Sequence, residues 1–194
     1  MYEYIEGAVR EKNPAYCVIE AGGIGYFIQI SLSTYSALGD QASCRLYLHQ
    51  VVREDAHLLF GFHARAEREM FRSLISVSGV GANTARMMLS SLSAEDLRQT
   101  ILAGNTTPLQ AIKGIGTKTA QRIIIELRDK IGRDKLPGGE LFPIADNRLK
   151  DEALSALVIL GFGKAEADKA ISRILASEKN LTLEDLIKKA LKQL

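Results

Sequence analysis

Two stretches of this chain read almost alike. LISVSGVGANTARMMLSSL (74–92) and LQAIKGIGTKTAQRIIIEL (109–127) align without gaps at a spacing of 35 residues. The first Leu, both glycines, the Thr-Ala pair and the last Leu are identical, and Val77/Ile112 and Val80/Ile115 are conservative matches. Each copy reads as helix, tight glycine turn, helix. Two copies are too few for a solenoid, which needs at least about three to bury its core. They suit a paired device that presents one kind of turn twice.

The residues of the turn set its chemistry. Glycine permits positive φ and leaves no side chain between backbone and ligand. A helix starts just after each turn, so its unpaired N–H groups point outward at its positive end, which makes an anion site. Val80 and Ile115 read as inward anchors, and Thr84 and Thr119 offer hydroxyls. Lys118 and Arg122 add charge one helical turn apart. A nucleotide cofactor fits poorly. A P-loop needs G-x-x-x-x-G-K-[ST] after a strand, and a dinucleotide fold needs G-x-G-x-x-G in a βαβ unit. Here the glycines lie between helices, and no third glycine falls at the required spacing. The expected ligand is nucleic-acid backbone. Phosphate contacts position a protein without reading sequence, so recognition should follow DNA structure or be nonspecific.

The segments on either side differ in kind. Up to His63 the chain reads as β. AYCVIEAGG, GIGYFIQISL and CRLYLHQVV are rich in β-branched and aromatic residues, Gly22-Gly23 marks a turn and STYSAL a short helical insert. Five or so strands in 63 residues predict a small closed barrel of the OB-fold type. Residues 64–131 are helical and hold the repeat, with a Ser93/Asp96 capping pattern opening SAEDLRQTIL. Residues 132–147, with Pro137, Gly138, Gly139 and Pro143, read as a flexible linker. Residues 148–194 predict a three-helix bundle, its last helix capped by Thr182 with Asp185. Charge follows these divisions: net −3 over 1–63, +4 over 64–131, −1 over 132–147 and +2 over 148–194. An acidic front beside a basic middle is an asymmetry that needs a cause.

These motifs carry a resemblance. The h-x-G-h-G-x-x-T-A pattern resembles helix-hairpin-helix DNA-binding motifs. The order of barrel, paired hairpins, linker and small bundle is similar to the RuvA family of Holliday junction branch-migration proteins. It is carried by EAGGIGY (20–26), HQVVREDAHLLFGF (49–62), SGVGANTA, KGIGTKTAQRIIIEL and ALVILGF (156–162). The resemblance implies a homotetramer, or two, that holds a four-way DNA junction open and flat for recombination and repair. It also implies two partners: the RuvB ATPase, which pumps the arms, and the RuvC resolvase, which cuts the junction. It assigns DNA contact to Gly79, Gly81, Asn83, Thr84, Arg86, Gly114, Gly116, Thr117, Lys118, Thr119 and Arg122. Relatives often carry lysine where this chain has Asn83, so the first hairpin should lean on backbone amides, with Arg86 as the substitute cation. Glu54 and Asp55 match an acidic pin whose carboxylates repel phosphates near the tetramer centre. That pin would also account for the acidic front. Leu157, Leu160 and Phe162 match the apolar surface that docks the ATPase, on a bundle that resembles ubiquitin-associated modules.

No catalytic centre, metal site or cofactor is expected. His49, His57 and His63 lack ligand spacing, and no nucleophile elbow or P-loop occurs. Cys17 and Cys44 are too few for a disulfide framework or zinc site and read as reduced core residues. No apolar run spans a bilayer and no leader is recognisable, so the expected location is the cytoplasm. Two alternatives stay open: accessory domains of a repair nuclease or ligase, where such hairpins recur, and a protein-interaction scaffold whose glycine turns only connect helices.

Overall fold

A computed structural model describes residues 2–133, 145–178 and 181–194. The chain divides into two compact units, Met1–Pro137 and Gly138–Leu194.

The first unit opens with five strands: β1 (Tyr4–Asn13), β2 (Tyr16–Ala21), β3 (Ile24–Ile30), β4 (Ser43–Val52) and β5 (His57–Phe62). They close into a barrel in the order β1-β2-β3-β5-β4, with β4 returning to β1. All pairs are antiparallel except β3 with β5. The period-2 pattern of GIGYFIQISL is realised directly: Ile28 and Ile30 point into the barrel, while Phe27 stays exposed and stacks on Tyr16. Cys17 and Cys44 are both in this core with Ile5, Ile19, Leu46 and Leu48, and burial pushes the Cys17 thiol up to about 12. Between β3 and β4, α1 (Leu32–Leu38) is capped by Ser31, whose hydroxyl accepts the Thr34 N–H.

Five helices follow the barrel in this unit, α2 (Arg65–Ile75), α3 (Ala82–Ser91), α4 (Ala94–Leu102), α5 (Thr107–Gln110) and α6 (Thr117–Arg133), and α7 (Ala145–Ile159) opens the next. The barrel and helices share a core that the boundary at His63 does not suggest. Phe60 and Phe62 of β5 are fully buried against Phe71 of α2, with ring centroids 5.1 and 4.9 Å apart. His49 of β4 meets the same ring edge-on at 5.3 Å. A buried carboxylate adds a second tie. Glu67 of α2 accepts hydrogen bonds from Ser31 and Thr34, and burial raises its pKa. The helices are therefore seated on the barrel by aromatic packing and by satisfied polar contacts.

The second unit holds α7, α8 (Lys164–Ser177) and α9 (Leu183–Leu191) around Ala153, Leu157, Ile171, Ile174 and Leu186. Thr182 caps α9 by accepting the Asp185 N–H at 3.2 Å, as its spacing predicts. Of the expected linker 132–147, residues 132–133 end helix α6 and 145–147 begin helix α7. The rest of 132–147, residues 134–144, lies outside the described residues.

Candidate nucleic-acid interface

The two glycine turns have the same backbone. Gly79 and Gly114 both take φ +91°, a conformation that only glycine adopts without strain. Val80 N–H donates to the Val77 carbonyl at 3.0 Å, and Ile115 N–H to the Ile112 carbonyl at 3.1 Å. All four aliphatic residues are buried in the helical core, so each turn is bolted down by its own hydrophobic pair.

The second glycine of each pair tells more. Gly81 has φ −83° and ψ 165°, which any residue can adopt. A Cβ built at Gly81 or Gly116 would meet nothing within 4 Å. Neither conformation nor internal packing requires glycine there. A missing side chain in open space, beside a helix start, leaves room for something outside the protein to approach the backbone. The start of α3 has no side-chain cap, so its first-turn N–H groups are not taken by a capping side chain. Two such turns, each with a polar fringe, make a paired site for anionic oxygens.

The fringe differs between the copies. Asn83 and Lys118 are exposed at equivalent places, and Thr84 and Thr119 are half-buried behind them. Thr117 is exposed, with its hydroxyl 3.5 Å from the side-chain oxygen of Gln110. Among the described residues Lys118 has no ion-pair partner, so its charge is free to meet a ligand. Lys113, just before Gly114, is exposed as well and belongs to the same rim. Sequence reasoning passed over it because the repeat aligns it with Ser78 and not with another cation. Arg122 is exposed, yet it donates to the Ser78 carbonyl at 3.2 Å and sits 3.8 Å from Glu126.

Arg86 corrects an expectation. It does not substitute for the lysine missing at 83. Its guanidinium donates to the barrel carbonyls of Ala15 (2.8 Å) and Ile30 (3.3 Å), and burial lowers its pKa. Arg86 lies one helical turn past Asn83 on the side that meets the barrel, where it shares the Ala15 carbonyl with the Ile30 N–H at 3.1 Å.

The remaining predicted residues lie elsewhere. Glu54 and Asp55 are exposed at the tip of the β4–β5 hairpin, closed by Arg53 N–H donating to Ala56 at 2.8 Å. In the second unit Leu157 is fully buried, so it belongs to the bundle core and not to a docking surface. It falls on the inner face of α7 with Ala153. Leu160 is 59% exposed, and it is joined by Ile159 at 85% and Val158 at 42%, two residues the sequence reading did not single out. Phe162 is half-buried against the bundle. Among the described residues no group of three or more His, Cys, Asp or Glu is placed to hold a metal ion, and no helix is long and apolar enough to cross a membrane.

Known proteins share this arrangement along the whole chain. The RuvA N terminal domain family matches residues 1–61, the SAM-like helix-hairpin-helix tandem family 71–129, and the RuvA C-terminal domain family 149–194. A Holliday junction branch migration complex subunit RuvA from Christiangramia forsetii is 48% identical over 194 residues, covering all of both chains. Proteins of the same name from Bacteroides fragilis and Parabacteroides distasonis are 46% and 48% identical, again over all of both chains. The chain belongs to the RuvA family. Its three matched regions fall on the barrel, the hairpin helices and the separate bundle, so the RuvA order of domains and the fold agree throughout. Within that family frame, the twin turns are the tandem hairpins, and Asn83 and Arg86 are features of this RuvA-family chain's own first hairpin.

Proposed function

We propose that the protein is the junction-binding subunit of a branch-migration complex: a non-catalytic scaffold that holds four-way DNA open while a partner does the ATP-driven work. The observation that carries this reading is the pair of matching turns in which Gly81 and Gly116 are required by nothing inside the protein. Two identical backbone clamps with outward N–H groups suit the phosphates of a duplex arm. The relatives' name, Holliday junction branch migration complex subunit, supports it.

In this reading Gly79, Gly81, Gly114, Gly116, Thr117, Lys118, Thr119 and Thr84 meet the DNA backbone, with Asn83 adding a neutral contact. The exposed carboxylates of Glu54 and Asp55 repel phosphates where the arms meet, in a homotetramer or a pair of them. Val158, Ile159, Leu160 and the edge of Phe162 receive the RuvB ATPase, and RuvC acts on the same held junction in the cytoplasm. Barrel, hairpins and bundle then divide the labour: opening, gripping and recruiting.

A gel-shift comparison at about 150 mM salt decides the reading, because backbone binding is meaningful only at stated ionic strength. The full chain is expected to bind a four-way junction well above a linear duplex of the same length. Equal affinity for both would overturn it.

A further inference from the structure

Met87 and Arg122 occupy the same place in the two copies, 35 residues apart. Met87 has no donor. Arg122 has one, and it reaches across to the other copy: its guanidinium donates at 3.2 Å to the carbonyl of Ser78, the residue before Gly79. Its Nε lies 3.8 Å from Glu126, one helical turn on. The bridge therefore runs one way only. The second hairpin's helix holds the first hairpin's turn, and Met87 offers nothing to the Lys113 carbonyl in return.

Two physical consequences separate Arg122 from Lys118. The Glu126 carboxylate offsets part of the Arg122 charge and repels a phosphate oxygen, whereas Lys118 stands unpaired among the described residues. The first turn also has more need of a brace. With Asn83 in place of a cation and Arg86 committed to the barrel, it works through neutral amides alone. Amide hydrogen bonds weaken steeply when misaligned, while a lysine charge tolerates displacement.

We infer that Arg122 is a positioning residue that fixes the first glycine turn relative to the second, and that it does not itself carry a phosphate contact. The inference rests on the proposed reading of both turns as backbone clamps. The brace itself is a property of the free protein, so it can be tested with and without DNA.

The experiment uses the full chain with Arg122→Ala, Arg122→Lys and Lys118→Ala. Amide hydrogen exchange in free protein comes first. Arg122→Ala is expected to speed exchange of the Val80 amide, which is bonded to the Val77 carbonyl, by about fivefold, the scale of one lost hydrogen bond, with the matching Ile115 amide unchanged. Equal acceleration at both turns, or none, overturns the brace. Titration of a four-way junction against salt comes second. Arg122→Ala is expected to weaken binding about fivefold while the slope of log affinity on log salt stays at the wild-type value, whereas Lys118→Ala lowers that slope by about one. A slope loss of about one for Arg122→Ala makes it a phosphate contact and overturns the inference. Arg122→Lys, which keeps the charge but loses the planar fork, is expected to leave both defects in place, and full rescue by lysine has the same overturning force. If the wild type binds no DNA, the proposed function fails on its own, and the exchange result still decides what Arg122 does.

Discussion

The guanidinium of Arg86 donates to the carbonyl of Ala15 across 2.8 Å, joining helix α3 to the turn between β1 and β2. A second bond reaches the Ile30 carbonyl at the end of β3. The helix that starts at the first glycine turn is thus tied to the barrel, and the barrel fixes where that turn points. Arg86→Met keeps much of the stem packing and removes both donors. We expect a loss of about 1–2 kcal/mol in unfolding free energy, from two charge-assisted bonds at a partly exposed joint. Urea unfolding checks it. A variant as stable as wild type would mean that water replaces the guanidinium without cost.

Asn83 and Lys118 stand at the same place in the two hairpins and are both exposed. If both positions face phosphate, the electrostatic asymmetry between the hairpins can be removed from either side. Asn83→Lys is expected to tighten binding to any DNA arm and to steepen the salt dependence by about one ion, the mirror image of Lys118→Ala. Affinity for one junction measured from about 50 to 300 mM salt gives both slopes. An unchanged slope for Asn83→Lys places residue 83 away from the backbone.

Glu54 and Asp55 are exposed at the β4–β5 hairpin tip, and among the described residues neither has an ion-pair partner, which leaves them able to act on a ligand. Replacing both with lysine reverses four units of local charge without touching the core. Junction binding should tighten, because repulsion becomes attraction. Opening of the junction centre, read by fluorescence of a base analogue at the crossover, should diminish. If the centre opens as in the wild type, the carboxylates are only a polar turn.

Much of this was legible in the sequence because each element announced itself locally. Period-2 alternation at Tyr26–Ile30 gave β3, Ser93 with Asp96 and Thr182 with Asp185 gave two helix starts, and the 35-residue echo gave both turns. What stayed hidden was long-range. Nothing near Arg86 signals carbonyls at residues 15 and 30, so a cation beside a glycine turn looked like a phosphate ligand. Leu157 and Leu160 are three residues apart on one helix end and look alike as letters. Only the packing of α8 and α9 buries the first and leaves the second exposed. Phe60 and Phe62 likewise read as barrel strand, while their rings close the helical core.

His49 gives the fold an acid-sensitive joint. Its ring is half-buried against Phe71, and its pKa is lowered by burial first, then by the nearby Arg72 and Arg68 charges, with Glu69 pulling the other way. The folded state therefore takes up this proton less readily than the unfolded chain, whose histidine titrates near 6.5. As pH falls below that value the unfolded state binds more protons, so stability present above about pH 6.5 is lost through the window down to the folded pKa. The raised pKa of Glu67 acts in the opposite sense, since there the folded state binds the extra proton and gains from acidification. A comparison with His49→Gln cancels that contribution, because Glu67 is present in both proteins. Urea unfolding at pH 7, 6 and 5 should show the wild type losing stability relative to His49→Gln, by at most about 1.4 kcal/mol per pH unit. Parallel curves for the two proteins would show that the ring takes its proton in the folded state without leaving Phe71.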